Sequence, residues 1–354
     1  MTNKLDNRFQ EKKLNETKSK HSRRSFLQRS ALAGAGLGLS SLTGLSAFAR
    51  SFKSSGITQG DVDILSFLAA AELIETDLWE QYCELAAGNK PYGDALSTIE
   101  DEMVIYICDV TDNERSHAKF INSFLEANGF APVNLDPFRT LPSSTAKGAK
   151  NKGRLTNLLK TSVDTSFYLR YRDTGNPDFG DTYPQFVDIK NVPLIPVDDR
   201  NYSDKEIQLI ANSAAFHFCY IEQGGTSLYP SFIPKATDLD VLRILTGIGP
   251  GEAYHFAAFH QSLEGLPEIS GHGLVFPDVE ENNIGAHHIP HPCKFIDTSL
   301  RNASVVRPTL TVNAGAVATV TSLTNTGLFK GQSQEFFSAA MELAVAADAA
   351  MRTL

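Results

Sequence analysis

Cysteine is scarce and scattered in this chain. The four present, Cys83, Cys108, Cys219 and Cys293, form no Cys-x-x-Cys pair in 354 residues, which excludes a fold built on a disulfide framework. Three of them fall in helical patterns and read as small core hydrophobes. An oxidising compartment would leave room for one disulfide. Long apolar runs are missing too. Beyond the first fifty positions nothing approaches the ~20 apolar residues of a membrane helix, so no stable span is expected in the mature body. Positive charge is short in that body as well. Residues 1–49 hold nine Lys and Arg against three Asp and Glu; removing them from totals of 32 and 41 leaves 23 against 38, a net charge of −15. So acidic a body excludes nucleic acid as a partner. It suits metal cations, although most of these carboxylates belong to a solvated surface. A hydrophobic content of 42% and a charged content of 21% are ordinary for a globular protein. The length allows one large domain or two modest ones.

The first twenty residues are polar and lysine-rich and read as a disordered leader. Ser22-Arg23-Arg24-Ser25-Phe26-Leu27 then precedes a weakly apolar run from Ala31 to Gly44, and Ala47-Phe48-Ala49 supplies the small-x-small pattern that a signal peptidase accepts. A basic tail before a core helix would explain neither the paired arginines nor a glycine-rich run without amphipathic period. Residues 1–49 resemble a twin-arginine export signal. The resemblance implies the twin-arginine export machinery as a partner and a periplasmic or otherwise extracytoplasmic destination. It also implies export of the folded protein, often with its cofactor inserted. Left uncleaved, the segment would be an N-terminal anchor but a poor permanent span, because it is rich in Gly and Ser.

The periodicity predicts a first helix over 61–87, stopped by Gly88-Asn89-Lys90-Pro91, and a second over 97–128 with Ser97 as its cap and Gly129 at its end. A long connection over 129–203 contains Pro132, Pro137, Pro142, a basic stretch and an expected helix near 155–171. Third and fourth helices follow over 204–229 and 238–264. Both carry breakers, Gly224-Gly225 after Glu222 and Gly249-Pro250-Gly251 before Glu252. Each glycine costs about 1 kcal/mol in a helix interior and a proline about three. Such helices are expected to kink or break there, either as ordinary junctions or to make room for a substrate or a close backbone approach. From Ser270 the texture changes. An alternating segment over 308–323 around Asn313-Ala314-Gly315 reads as a hairpin, and an amphipathic helix over 332–352 closes the chain and docks on the bundle.

The chemistry lies in an internal echo. Ile74-Glu75 is followed seven residues later by Tyr82, and Ile221-Glu222 seven residues later by Tyr229. Downstream, Glu114-x-x-His117 precedes Leu125-Glu126, and Glu252-x-x-His255 precedes Leu263-Glu264, at the same offsets. A carboxylate and an imidazole three apart share one helix face. A lone Glu from each of two helices, with a Glu-x-x-His from each of two others, is the ligand set of carboxylate-bridged di-metal bundles. Two close cations repel, so several carboxylates must neutralise and bridge them. One imidazole per ion adds a firm ligand and leaves open positions. Glu75, Glu114, His117, Glu222, Glu252 and His255 are therefore assigned as ligands of two transition-metal ions, iron or manganese, with Glu114 and Glu252 as bridges. Surface ion pairs on helices are the alternative.

Glu72, one turn before Glu75, is a substitute ligand or a group supporting the ligands, since its echoed position is Cys219. Tyr82 and Tyr229 are core aromatics or a redox or proton relay. His260 is a further supporting candidate, and His217, on another face than Glu222, reads as a core histidine. The cluster His287-His288-x-x-His291-x-Cys293 is either one more metal site or a polar loop.

The segments ILSFLAAAELIETDLWEQY, NERSHAKFINSFLEANG, AFHFCYIEQGGTSLY and IGPGEAYHFAAFHQSLEG resemble the exported ferritin-like domain family over about 58–268, and FFSAAMELAVAADAA resembles the same family. The resemblance implies an all-α fold, a ferritin-like four-helix bundle over 58–268; the spacing adds a long crossover (129–203) between the second and third helices and a C-terminal extension over 270–354 with a small hairpin and a helix. It implies metal binding without fixing a reaction. A crossover of this length, the glycines and the extension would obstruct cage packing, so iron storage is not expected. The leading reading is an exported di-iron or di-manganese oxidoreductase acting on a small oxidant (dioxygen or peroxide) or on ferrous iron. The other is a non-catalytic extracytoplasmic stress or binding protein that keeps the bundle. Oligomeric state is not legible.

Overall fold

The computed structural model describes residues 56–173, 178–179, 183–279, 290–294, 299–305 and 313–353. The leader, residues 1–49, lies outside them, as do His287 and His288. From Ile57 onward the chain forms one unit.

Thr58 opens the first helix, α1 (Gln59–Gly88), through a reciprocal capping box with Asp61. The buried Asp61 carboxylate also accepts the backbone N–H groups of Thr237 and Asp238, so it joins the start of α1 to that of the fourth bundle helix. Asn89 ends α1 and caps α2 (Lys90–Ile99), with Pro91 in its first turn. After a turn at residues 100–102 comes α3 (Met103–Ala127). One helix over 97–128 was expected; instead Ser97 lies inside α2. The Asn-Lys-Pro start that stops α1 immediately nucleates a new helix, and that helix ends three residues before α3 begins. Cys83 and Cys108 form a disulfide between α1 and α3, with Cα atoms 5.0 Å apart. Cys219 and Cys293 are free and buried.

The crossover is built rather than loose. It contains β1 (Thr161–Val163), the four-residue helix α4 (Phe167–Arg170) and β2 (Ile189–Val192), which pairs antiparallel with β1. The longer helix expected over 155–171 does not form. The N–H groups of Asn157 and Ser162 donate instead to the carbonyls of Leu328 and Thr326, and Thr161–Val163 pairs with β2, while the N–H groups of Leu155 and Thr156 and the Thr156 hydroxyl donate to the buried Asp77 carboxylate. Arg139 pairs with the same carboxylate at 2.6 Å. Arg154, 1% exposed, reaches Glu84 at 2.5 Å. These contacts pin the crossover to α1.

The second helix pair is α5 (Asp204–Phe232), with Ser203 and Glu206 as its capping box, and α6 (Leu239–Ser262), capped by Asp238. Both run unbroken through the breakers that suggested kinks. A Cβ on Gly249 would lie 2.8 Å from Tyr229 Cβ, so the glycine there serves the close approach of α6 to α5. The couples Cys83 with Cys108 and Thr111 with the carbonyl of Trp79 set α1 and α3 antiparallel.

In the C-terminal extension the hairpin is displaced from its expected place. It is formed by β3 (Ile269–Gly271) and β4 (Leu274–Phe276), turning on His272 and Gly273, both at positive φ. Pro292–Cys293 (β5) pairs with Ala303–Ser304 (β6). Of the segment read as a hairpin, 308–312 lies outside the described residues and Ala316–Asn325 is a helix, α7. Its buried residues Ala316, Thr319 and Val320 follow the helical spacing of three and four. Its first N–H groups, of Ala316 and Val317, are capped by Asp348. That residue belongs to α8 (Gln334–Ala349), which packs along α1. Among the described residues no helix is long and apolar enough to cross a membrane.

Candidate metal centre

Each bundle helix brings acid to one buried point. Glu72 comes from α1, Glu114 and His117 from α3, Glu222 from α5, and Glu252 and His255 from α6. All four carboxylates are 0–1% exposed. One ligand atom from each of Glu72, Glu114, His117 and Glu252 forms a first group, and one from each of Glu114, Glu222, Glu252 and His255 a second; within each group these atoms lie within 4.8 Å of one another. The groups share Glu114 and Glu252. Glu114 divides its oxygens, Oε2 lying 3.1 Å from His117 Nδ1 and Oε1 3.0 Å from His255 Nδ1. His117 Nδ1 also lies 3.4 Å from Glu72 Oε2 and from Glu252 Oε1, and His255 Nδ1 3.2 Å from Glu222 Oε2. The imidazole rings are 6.5 Å apart.

Of the six residues assigned from the sequence as ligands, five enter these groups. Glu75 does not; Glu72 takes the place beside His117. The Tyr229 hydroxyl donates to Glu72 Oε1, which orients that carboxylate from across the bundle. The echo explains why the centre is unsymmetrical. The counterpart of Glu72 in the second half is Cys219, so Tyr82, the counterpart of Tyr229, faces no acid there. Its hydroxyl pairs instead with His217 Nδ1 at 2.9 Å. His260 stacks on Tyr168 and packs edge-on to Tyr171, outside both groups. His291 is exposed and Cys293 buried on β5. Neither enters a group of metal-ligating side chains among the described residues.

The electrostatics are those of an acid cluster without enough counter-charge. Burial, then the charge of Glu114, raises Glu72 from 4.5 to about 7, and burial raises Glu222 to about 8. Glu252 is raised by burial as well. Glu75 is raised well above its ordinary value by burial and then by the charges of Glu252, Glu114, Glu72 and Glu222. For the two histidines burial works to lower the pKa. For His117 hydrogen bonds to Glu114, Glu252 and Glu72 overcome it, and for His255 the charge of Glu222 and hydrogen bonds to Glu114 and Glu222 do so. Both imidazoles are held above the ordinary 6.5.

A pair of cations fits this donor set. An Nδ1 proton can satisfy only one of the carboxylates crowding each ring. Glu72 Oε2, Glu114 Oε1 and Glu252 Oε1 compete for those two protons, and the buried Glu222 Oε1 and Glu252 Oε2 have no hydrogen-bond partner. A buried charge left so costs several kcal/mol. Four carboxylates balance two divalent ions, and mixed carboxylate and imidazole ligands suit iron or manganese.

Two glycines of α5 reveal what the sequence signal meant. A Cβ on Gly225 would overlap Glu252 Oε2, whereas one on Gly224 would meet nothing within 4 Å. Gly225 makes space for the shared carboxylate; Gly224 borders a small cavity.

A family model described as a ferritin-like domain matches residues 60–265. No curated protein and no solved structure matches the chain.

Proposed function

Because the chain belongs to the ferritin-like domain family, we propose that it holds two iron or manganese ions and performs redox chemistry on dioxygen, peroxide or ferrous iron outside the cytoplasm. The observation that carries this is the pair of ligand groups interlocked through Glu114 and Glu252. In this reading Glu72, Glu114, His117 and Glu252 hold one ion, and Glu114, Glu222, Glu252 and His255 the other. When bound, the ions would supply redox and Lewis-acid chemistry. The chain supplies the rest. Loading would displace the protons that burial helps Glu72 and Glu222, raised to about 7 and about 8, to retain toward neutral pH. Glu222 Oε1 has no hydrogen-bond partner and offers an acceptor for such a proton. The Tyr229 hydroxyl fixes Glu72, and the buried walls exclude bulk water.

Two features support export: the twin-arginine leader and the Cys83–Cys108 disulfide, a bond rare in reducing compartments.

The test is elemental analysis of protein purified from its native host. Two equivalents of one transition metal per chain are expected, with both lost in Glu114→Ala and Glu252→Ala because each carboxylate serves both ions. Absence of any transition metal would sink the proposal. Two bound equivalents without turnover of dioxygen, peroxide or ferrous iron would leave the non-catalytic reading in its place.

A further inference from the structure

A cavity of about 50 Å³ lies between α1, α5 and the C-terminal helices α7 and α8. Phe67, Ala71, Leu228, Val320 and Leu323 line it, with Gly224 at one wall. Its polar wall groups are spent on protein partners. The Tyr220 hydroxyl bonds Ser322 at 2.7 Å, and Thr319 Oγ1 donates to the Gly315 carbonyl at 2.9 Å. The one carboxylate that lines it is Glu75, the acid that the ligand groups leave aside. Gly225, which also lines the cavity, lies against Glu252. Only Gly225 therefore stands between the cavity and the Glu252 carboxylate that both ligand groups share.

We infer that this cavity binds dioxygen and passes it to the centre, with the C-terminal helices as its roof. The inference rests on the redox reading of the centre and selects among its three substrates. Ferrous ion needs a series of charged partners along its way and hydrogen peroxide a series of hydrogen bonds, and these walls offer a single carboxyl, Glu75. A nonpolar diatomic needs none. Size excludes organic substrates: dry apolar cavities that accept benzene are ~150 Å³. Gly224 carries the argument further. A glycine in a helix interior costs about 1 kcal/mol relative to alanine, and here no neighbour demands it. What it preserves is the empty space.

Xenon is the probe, because it enters dry apolar cavities and needs no metal. Metal-free protein under xenon pressure should show one atom in the cavity by diffraction. Gly224→Leu should abolish it, and in iron-loaded protein should raise the apparent KM for dioxygen at least tenfold with metal stoichiometry unchanged. Gly224→Ala, which only narrows the cavity, gives a graded version should the leucine variant fail to fold. No xenon in the wild-type cavity overturns the inference. So does an oxygen dependence unmoved by a plug that expels xenon. Failure of iron-loaded protein to consume dioxygen while xenon still binds would defeat the redox reading, and with it delivery of dioxygen, but leave the gas site standing.

Discussion

Adding a single methyl group at either of two adjacent positions should have opposite effects. Gly224 and Gly225 both lie inside α5, where replacing glycine by alanine gains about 0.8–1.0 kcal/mol of helix propensity. At Gly224 the new Cβ meets nothing within 4 Å, so the gain should appear in full, as a rise of about 2 °C in the Tm of the metal-free protein. At Gly225 the Cβ overlaps Glu252 Oε2 and lies 3.1 Å from its Cδ and Cγ, where ordinary contact begins at 3.4 Å. Parting the helices to relieve this would open the close packing of Gly249 on Tyr229. The Glu252 carboxyl must retreat by about 1 Å, several times the ~0.2 Å that metal–ligand distances tolerate. Overpacking of about 1–3 kcal/mol then cancels or exceeds the propensity gain. Metal affinity should fall at least tenfold at both positions, since Glu252 belongs to both groups. Calorimetric titration with manganous ion, alongside thermal melts, reads both effects. A Gly225→Ala protein that binds two equivalents with unchanged affinity would refute the placement of Glu252 and the account of the centre built on it.

Exchanging the two acids of α1 tests the asymmetry: Glu72→Ala should lose the ion beside His117, whereas Glu75→Ala should keep two equivalents by elemental analysis. The reverse outcome would restore the assignment read from the echo. Acidity should also register in stability. Glu72 and Glu222, raised from 4.5 to about 7 and about 8, keep protons in the folded metal-free protein that the unfolded chain has released. Their stabilisation is therefore present below about pH 4.5 and lost as pH rises through the folded values, on the order of 3 kcal/mol for Glu72 alone. The two imidazoles, held above 6.5, act in the same direction. The Tm of metal-free protein should fall between pH 5 and 8 and the fall should flatten on metal loading; a Tm that climbs over that window would contradict the cluster. Replacing Cys83 and Cys108 together by alanine opens a loop with a sequence separation of 25 and should cost about 3 kcal/mol. Ellman titration of the unfolded wild type should find two free thiols before reduction and four after.

The sequence by itself determined that four helices would meet and which acids they would carry, because helical period and the Glu-x-x-His spacing are local properties. The stop after Gly88, the capping boxes at Thr58 and Ser203, and the pairing of Glu114 with His117 and Glu252 with His255 follow from residues within a turn of one another. Tertiary structure decided whatever depended on distant partners. Glu72 and Glu75 are one turn apart on nearly the same face, and only the folded chain groups Glu72 with His117 and brings it to the Tyr229 hydroxyl, 157 positions away. Leu328 and Thr326 took the N–H groups of Asn157 and Ser162 and left only the short α4 of a helix expected over 155–171, and Asp348 capped a helix where alternation had suggested strands. Gly224 and Gly225 look alike in the chain. Only the position of Glu252 on the facing helix makes one of them the space for a carboxylate shared by both candidate ligand groups and the other the wall of a cavity, because steric exclusion acts between surfaces that the order of residues does not bring together until the chain has folded.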